Sequence, residues 1–175
     1  MLFNKIRIVD SHYHIISLDL AKKIAESVST PSRYAPQKGA SRTTMGTEVS
    51  LLTEEEQLAI IGRSNIDTLW VSVRTPRLLE QGMFPPSSPH YLTLCRTIND
   101  HLASICRRYL GRFVTFADIP VNLGEAAIEE MERALNNLGL ERISLQSSYD
   151  NKLLDTPKFR LFFEEANRQK AKKPQ

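Results

Sequence analysis

Cysteine is scarce in this 175-residue chain, with only Cys95 and Cys106, and so are glycine, at seven residues, and tryptophan, at one. Two cysteines cannot build the disulfide framework of a small secreted domain. Both fall in a stretch of helical pattern, where their separation corresponds to about 16 Å, beyond disulfide reach. They read as small core residues of a reduced, intracellular protein. No apolar run approaches the roughly 20 residues that span a bilayer. Met1-Leu2-Phe3-Asn4-Lys5 lacks the apolar stretch of a signal peptide. The expectation is a soluble, cytoplasmic protein with no membrane partner. A large excess of charge of one sign is missing too, with 23 Lys and Arg against 20 Asp and Glu. The formal net charge is +3, and Arg168, Lys170, Lys172 and Lys173 crowd the end, so 168–175 reads as a basic, frayed tail. Without a basic face, nucleic acid is excluded as a partner. Nucleophile elbow, phosphate-cradling glycine loop and CxxC pair are all absent.

What is present suffices for one domain, since 41% of residues are hydrophobic and 25% charged. Four segments rich in β-branched or aromatic residues predict buried strands: Ile6 to Val9, Thr68 to Val73, Phe113 to Ile119 and Arg142 to Gln146. Helical patterns lie between them. Thr53-Glu54-Glu55-Glu56 is a capping box ahead of Leu58, Ile60 and Ile61. Ser88-Pro89 opens a long helix whose stripe is Tyr91, Leu94, Ile98, Leu102, Ile105 and Tyr109. A third helix spans Glu125 to Leu138 and stops at Gly139. A fourth starts at Asp155-Thr156-Pro157 and buries Phe159, Phe162, Phe163 and Ala166. Strand and helix in alternation mean parallel βαβ units, an α/β fold. Residues 29–50 carry little periodicity and read as an irregular insertion; Thr75 to Ser88 reads as a second long connection.

The chemistry is concentrated in Asp10-Ser11-His12-Tyr13-His14 at the end of the first apolar run. In an extended strand, side chains at i and i+2 share a face, so His12 and His14 present two imidazoles together. Two neutral imidazoles at a strand end start a divalent-metal site. Asp10 is placed to accept an imidazole N–H and fix its tautomer. His90 and His101 fall in the long helix on separate turns, and His101 follows Asn99-Asp100 on the polar side, so both read as surface or satisfied helix residues.

Three stretches together resemble the amidohydrolase-2 group, whose members include aminocarboxymuconate-semialdehyde and resorcylate decarboxylases. The first is the Asp10-Ser11-His12-Tyr13-His14 strand end. The second is Asn99-Asp100-His101-Leu102-Ala103 running on through Arg112-Phe113-Val114-Thr115-Phe116-Ala117-Asp118-Ile119-Pro120. It is similar to the family's N-D-x-L-A and R-F-V-G-F-A-x-x-P run. The third joins Ala126 to Ala134, Leu138-Gly139-Leu140 and Leu154-Asp155-Thr156-Pro157-Lys158-Phe159. The resemblance implies a (β/α)8 barrel, here incomplete, with about four parallel strands and flanking helices; a full barrel takes about 250 residues. It makes 1–175 a single N-terminal part of such a barrel, ending where a fifth strand with a His-Pro ligand would begin.

The resemblance also implies that His12 and His14 are the first two metal ligands, zinc being the usual ion, and that the substrate is a small carboxylic acid. The implied parent activity is non-oxidative decarboxylation of an unsaturated or aromatic acid. Hydrolysis within the same superfamily, and a truncated, inactive remnant or interaction module, stay open as alternatives. Exposed barrel edges would favour self-association or a homo-oligomer. Substrate-gripping arginines find no register at Arg33 or Arg42, and no catalytic acid or base is assigned.

Overall fold

The computed structural model describes residues 7–15, 17–27, 41–44, 47–50, 52–73 and 88–172. Strand β1 (Val9–His14) is followed by helix α1 (Leu18–Ser27), a hairpin of β2 (Ser41–Thr44) and β3 (Thr47–Ser50), helix α2 (Glu54–Gly62) and strand β4 (Thr68–Ser72). Helix α3 (Pro89–Arg108) leads to β5 (Phe113–Asp118), and α4 (Glu125–Glu132) to β6 (Arg142–Ser144). A small hairpin, β7 (Ser148–Tyr149) and β8 (Lys152–Leu153), precedes α5 (Arg160–Lys172).

The main sheet has the order β1-β4-β5-β6 with every neighbour parallel. Its central strands, β4 and β5, present their two faces to different environments. Leu69, Val71, Phe113 and Ala117 are buried beneath the helices together with Leu94, Ile98, Leu102 and Ile105 of α3. Trp70, Ser72, Val114 and Phe116 point the other way and are half-buried. A parallel sheet covered by helices on one face, with side chains lining the opposite face, is the layout of an incomplete (β/α)8 barrel.

Local signals account for the helix starts. Thr53 and Glu56 form the expected reciprocal box, Glu56 N donating to Thr53 Oγ1 at 3.2 Å and Thr53 N to Glu56 Oε2 at 2.8 Å. Ser88 Oγ caps α3, accepting from His90 N at 3.2 Å, with Pro89 at the first helical position. Gly139 takes φ 74°, a left-handed stop that side chains disfavour.

Several expectations need correction. The first strand is displaced: it begins at Val9 and contains the whole motif, because those residues form a ladder with β4 through to an Ile15 N–H donated to Ser72 O at 3.2 Å. Ile6 lies outside the described residues. Helix α1 was not predicted; its signal is Ser17, whose Oγ accepts from Leu20 N at 3.1 Å ahead of buried Leu18, Leu20 and Ile24. Within 29–50, an antiparallel pairing of Ser41–Thr44 with Thr47–Ser50 supplies order where irregular chain was expected.

Helix α4 continues as a π-helical turn over Arg133–Asn137. The fourth segment opens as a 3-10 turn, Pro157–Phe159, before α5. Phe159 and Phe162 are buried, whereas Phe163 stays 37% exposed against the Phe162 ring. The last strand stops at Ser144, short of Gln146. The tail is helical as far as Lys172, and Gln169 is buried among Glu132, Glu165 and Asn136.

Candidate metal centre

His12 and His14 lie at the carboxyl end of β1, the edge at which parallel α/β folds place their sites. Their rings meet edge to face, centroids 4.7 Å apart, and both side chains are exposed. The i, i+2 spacing therefore does bring the two imidazoles together.

The ladder between β1 and β4 is irregular here. Asp10 is in register with Leu69, whereas Tyr13 and His14 match Val71 and Ser72, so three steps along β1 span two along β4. Such a bulge re-aims side chains. It places Asp10 level with a residue that faces the helices and His14 level with Ser72, which faces away from them. Asp10 Oδ1 accepts the backbone N–H of His12 at 3.0 Å. The carboxylate thus steers the main chain of the motif through this bond. Burial, and after it the Asp10 carboxylate, raise the neighbouring Tyr13 phenol above its usual range.

Sequence reasoning missed Ser72. Its hydroxyl lies 2.9 Å from His14 Nδ1, across the strand pair. That contact makes Nε2 the nitrogen through which His14 would ligate, and it fixes the ring plane. A strand-end serine two residues from a tryptophan carries no signal of its own; only the register exposes the pairing.

The donor chemistry fits a divalent ion as half of a coordination shell. Two imidazoles are supplied, and among the described residues no group of three His, Cys, Asp or Glu side chains gathers around an ion-sized space. The other histidines do not join the pair. His90 occupies the first turn of α3 and is exposed. His101 is not on a polar face as expected: it is 2% exposed, with Nδ1 3.5 Å from Lys23 Nζ and Nε2 3.4 Å from Glu54 Oε2. Arg108 also pairs with Glu54, so the cluster ties α1, α2 and α3 together. Burial, reinforced by Lys23 and Arg108, pulls the His101 imidazole down to about 4.

A second polar constellation supports the rim. Asn99 of α3 donates Nδ2 to Asp118 O at 3.1 Å and accepts from Asp118 N at 2.8 Å, anchoring the last residue of β5. The same Nδ2 reaches Glu130 Oε1 at 2.7 Å. Glu130 is fully buried and is gripped by Arg133 at 2.7 and 2.9 Å and by Arg96 at 3.2 Å. Cys95 Sγ points at Asp118 Oδ2, 3.6 Å away, and burial raises its thiol, so Cys95 is inert core rather than nucleophile. Both cysteines are free.

No family model matches the chain. It is similar to 2-amino-3-carboxymuconate-6-semialdehyde decarboxylase of Dictyostelium discoideum, 32% identical over 77 residues, which are 44% of this chain and 21% of that protein. It is similar also to gamma-resorcylate decarboxylase of Rhizobium radiobacter, 30% identical over 86 residues, 49% of this chain and 25% of that one. Among solved structures, 5-carboxyvanillate decarboxylase of Novosphingobium aromaticivorans, complexed with manganese and 4-hydroxy-3-methoxy-5-nitrobenzoic acid, superposes with a TM-score of 0.68. That match has 18% identity and covers 94% of this chain and 48% of the other. The chain therefore spans about half of the solved protein and a smaller share of the curated relatives it matches. The ion in that structure is manganese; zinc gains no support from it. The fold is that of an incomplete (β/α)8 barrel, and both curated relatives named above are decarboxylases.

Proposed function

We propose that this chain supplies the first half of the active site of a metal-dependent, non-oxidative decarboxylase acting on an aromatic or unsaturated carboxylic acid. The observation that carries the reading is the edge-to-face His12–His14 pair at the carboxyl end of a parallel strand. The similarity to decarboxylases, over 44% and 49% of this chain, adds the reaction class. His12 and His14 would hold a divalent ion, which orients a bound acid and polarises its oxygens. Manganese is the first ion to test and zinc the second. Ser72 holds the His14 ring, and Asp10 holds the backbone of His12. Asn99 fixes the rim at Asp118.

One observation favours a second reading for the chain by itself, a catalytically silent module. Among the described residues, no third ligand and no proton-transfer histidine stands beside the pair. Turnover depends on a closed coordination shell and a placed acid, so half of a site gives none.

Complementation separates the two. Fusing the second half of the Rhizobium gamma-resorcylate decarboxylase after Gln175, or supplying it in trans, should restore carbon dioxide release from 2,6-dihydroxybenzoate in the presence of manganese. His12→Ala or His14→Ala should abolish the rescue, and His90→Ala should not. A rescue indifferent to His12 and His14 would refute the reading.

A further inference from the structure

The face of the sheet turned away from the helices carries one cation with no acidic partner among the described residues. Arg142 opens β6 in register with Phe116. Its guanidinium carbon lies 4.2 Å from the centroid of the Trp70 ring and 5.9 Å from that of Phe116, and the two rings are 6.0 Å apart. Among the described residues these two rings are its partners, and no carboxylate pairs with it. Trp70 lies two residues, about 7 Å, before Ser72 on the same face of β4, and Ser72 holds His14. The stacked arginine is therefore one layer of side chains below the histidine pair.

Stacking on an indole face satisfies the flat side of a guanidinium and leaves its edge, with the N–H fork in plane. A planar, bidentate acceptor matches that edge, and carboxylate is the best match. The half-buried Val114 and Phe116 beside it offer apolar surface to the body of a ligand. Arg142 is exposed, so its free edge is open to an anion, and two aromatic supports hold it flat, so that less side-chain freedom is lost on binding.

We propose that Arg142, Trp70 and Phe116 form a recognition site for an aryl carboxylate on the inner face of the sheet, making Arg142 a determinant of specificity. This rests on the decarboxylase reading for its substrate class, but the site needs no metal. Its test can therefore be run with chelator present, where failure of the metal reading has no effect.

Trp70 is the one tryptophan in the chain, so intrinsic fluorescence excited at its absorption edge reports on this site alone. Benzoate should change Trp70 emission saturably, and uncharged benzamide should need at least a tenfold higher concentration. Arg142→Met should weaken the benzoate response at least tenfold, while Arg142→Lys, keeping charge but losing the planar fork, should fall between. Circular dichroism checks the fold of each variant. Should Arg142→Met fail to fold, the benzoate-to-benzamide ratio of the parent chain and the behaviour of Arg142→Lys decide. Equal responses to benzoate and benzamide overturn the proposal. So does a folded Arg142→Met or Arg142→Lys that binds benzoate as the parent does.

Discussion

The side-chain amide of Asn99 pairs with both main-chain groups of Asp118, donating to its carbonyl at 3.1 Å and accepting its N–H at 2.8 Å. A helix residue thereby anchors the last position of β5, which is also in register with Ser144 of β6. Both residues are buried, so removal of the amide leaves two peptide groups and the Glu130 carboxylate short of partners. Each unsatisfied group costs about 1–3 kcal/mol. Asn99→Leu, which keeps the volume and removes the bonds, should lower stability by about 3 kcal/mol in denaturant titration, far more than Thr53→Ala at about 1 kcal/mol for a lost helix cap.

The His101 cluster predicts acid sensitivity. The imidazole titrates at about 4 when folded against its ordinary value of 6.5. Between those values the unfolded chain takes up a proton that the folded chain refuses, so stability is complete above pH 6.5 and falls as pH drops towards 4. The loss attributable to His101 is at most about 3 kcal/mol. His101→Phe should show a shallower fall in stability from pH 7 to pH 4.5 than the parent chain. Parallel curves would mean that His101 does not govern the acid unfolding.

The alternation of strand and helix was legible because each element carries its own local signal. The α3 stripe, the Thr53–Glu56 box and the Gly139 stop are all found where composition and spacing place them. The histidine pair was legible for the same reason, being a relation between residues two apart. Relations between distant residues were not. The bulge that separates Asp10 from His14 by face exists only in the pairing with β4. His101 looks polar on a helical wheel, yet α1 and α2 close over it and bring Lys23 and Glu54. The β7–β8 turn rests on positive φ at Asp150 and Asn151, a conformation these side chains tolerate without announcing it.

Ser72 offers a test of how the site is held. Ser72→Ala removes the hydroxyl from His14 Nδ1 and should weaken divalent-metal binding about tenfold. The ring nitrogens of His14 should also lose their single tautomer in nitrogen-15 spectra of the metal-free chain. Ser72→Thr should retain both. Unchanged nitrogen shifts in Ser72→Ala would remove Ser72 from the account.

Strands β1 and β6 form the two edges of the main sheet. Unpaired edges template further pairing. The isolated 175 residues should therefore associate with rising concentration in sedimentation equilibrium, and a lysine placed at Val9, 44% exposed on β1, should reduce the association. A monomer at every concentration would count against edge pairing.

Metal titration of the purified chain tests the central claim most directly. Manganese and zinc should each bind weakly, with roughly one ion per chain at saturation, and dilute chelator should strip the ion, because two imidazoles leave the shell open. His12→Ala and His14→Ala should each reduce binding at least tenfold, with perturbed ring resonances confined to those two histidines. Equal binding by the parent chain and both variants, or perturbation centred on His90 or His101 instead, would contradict the account.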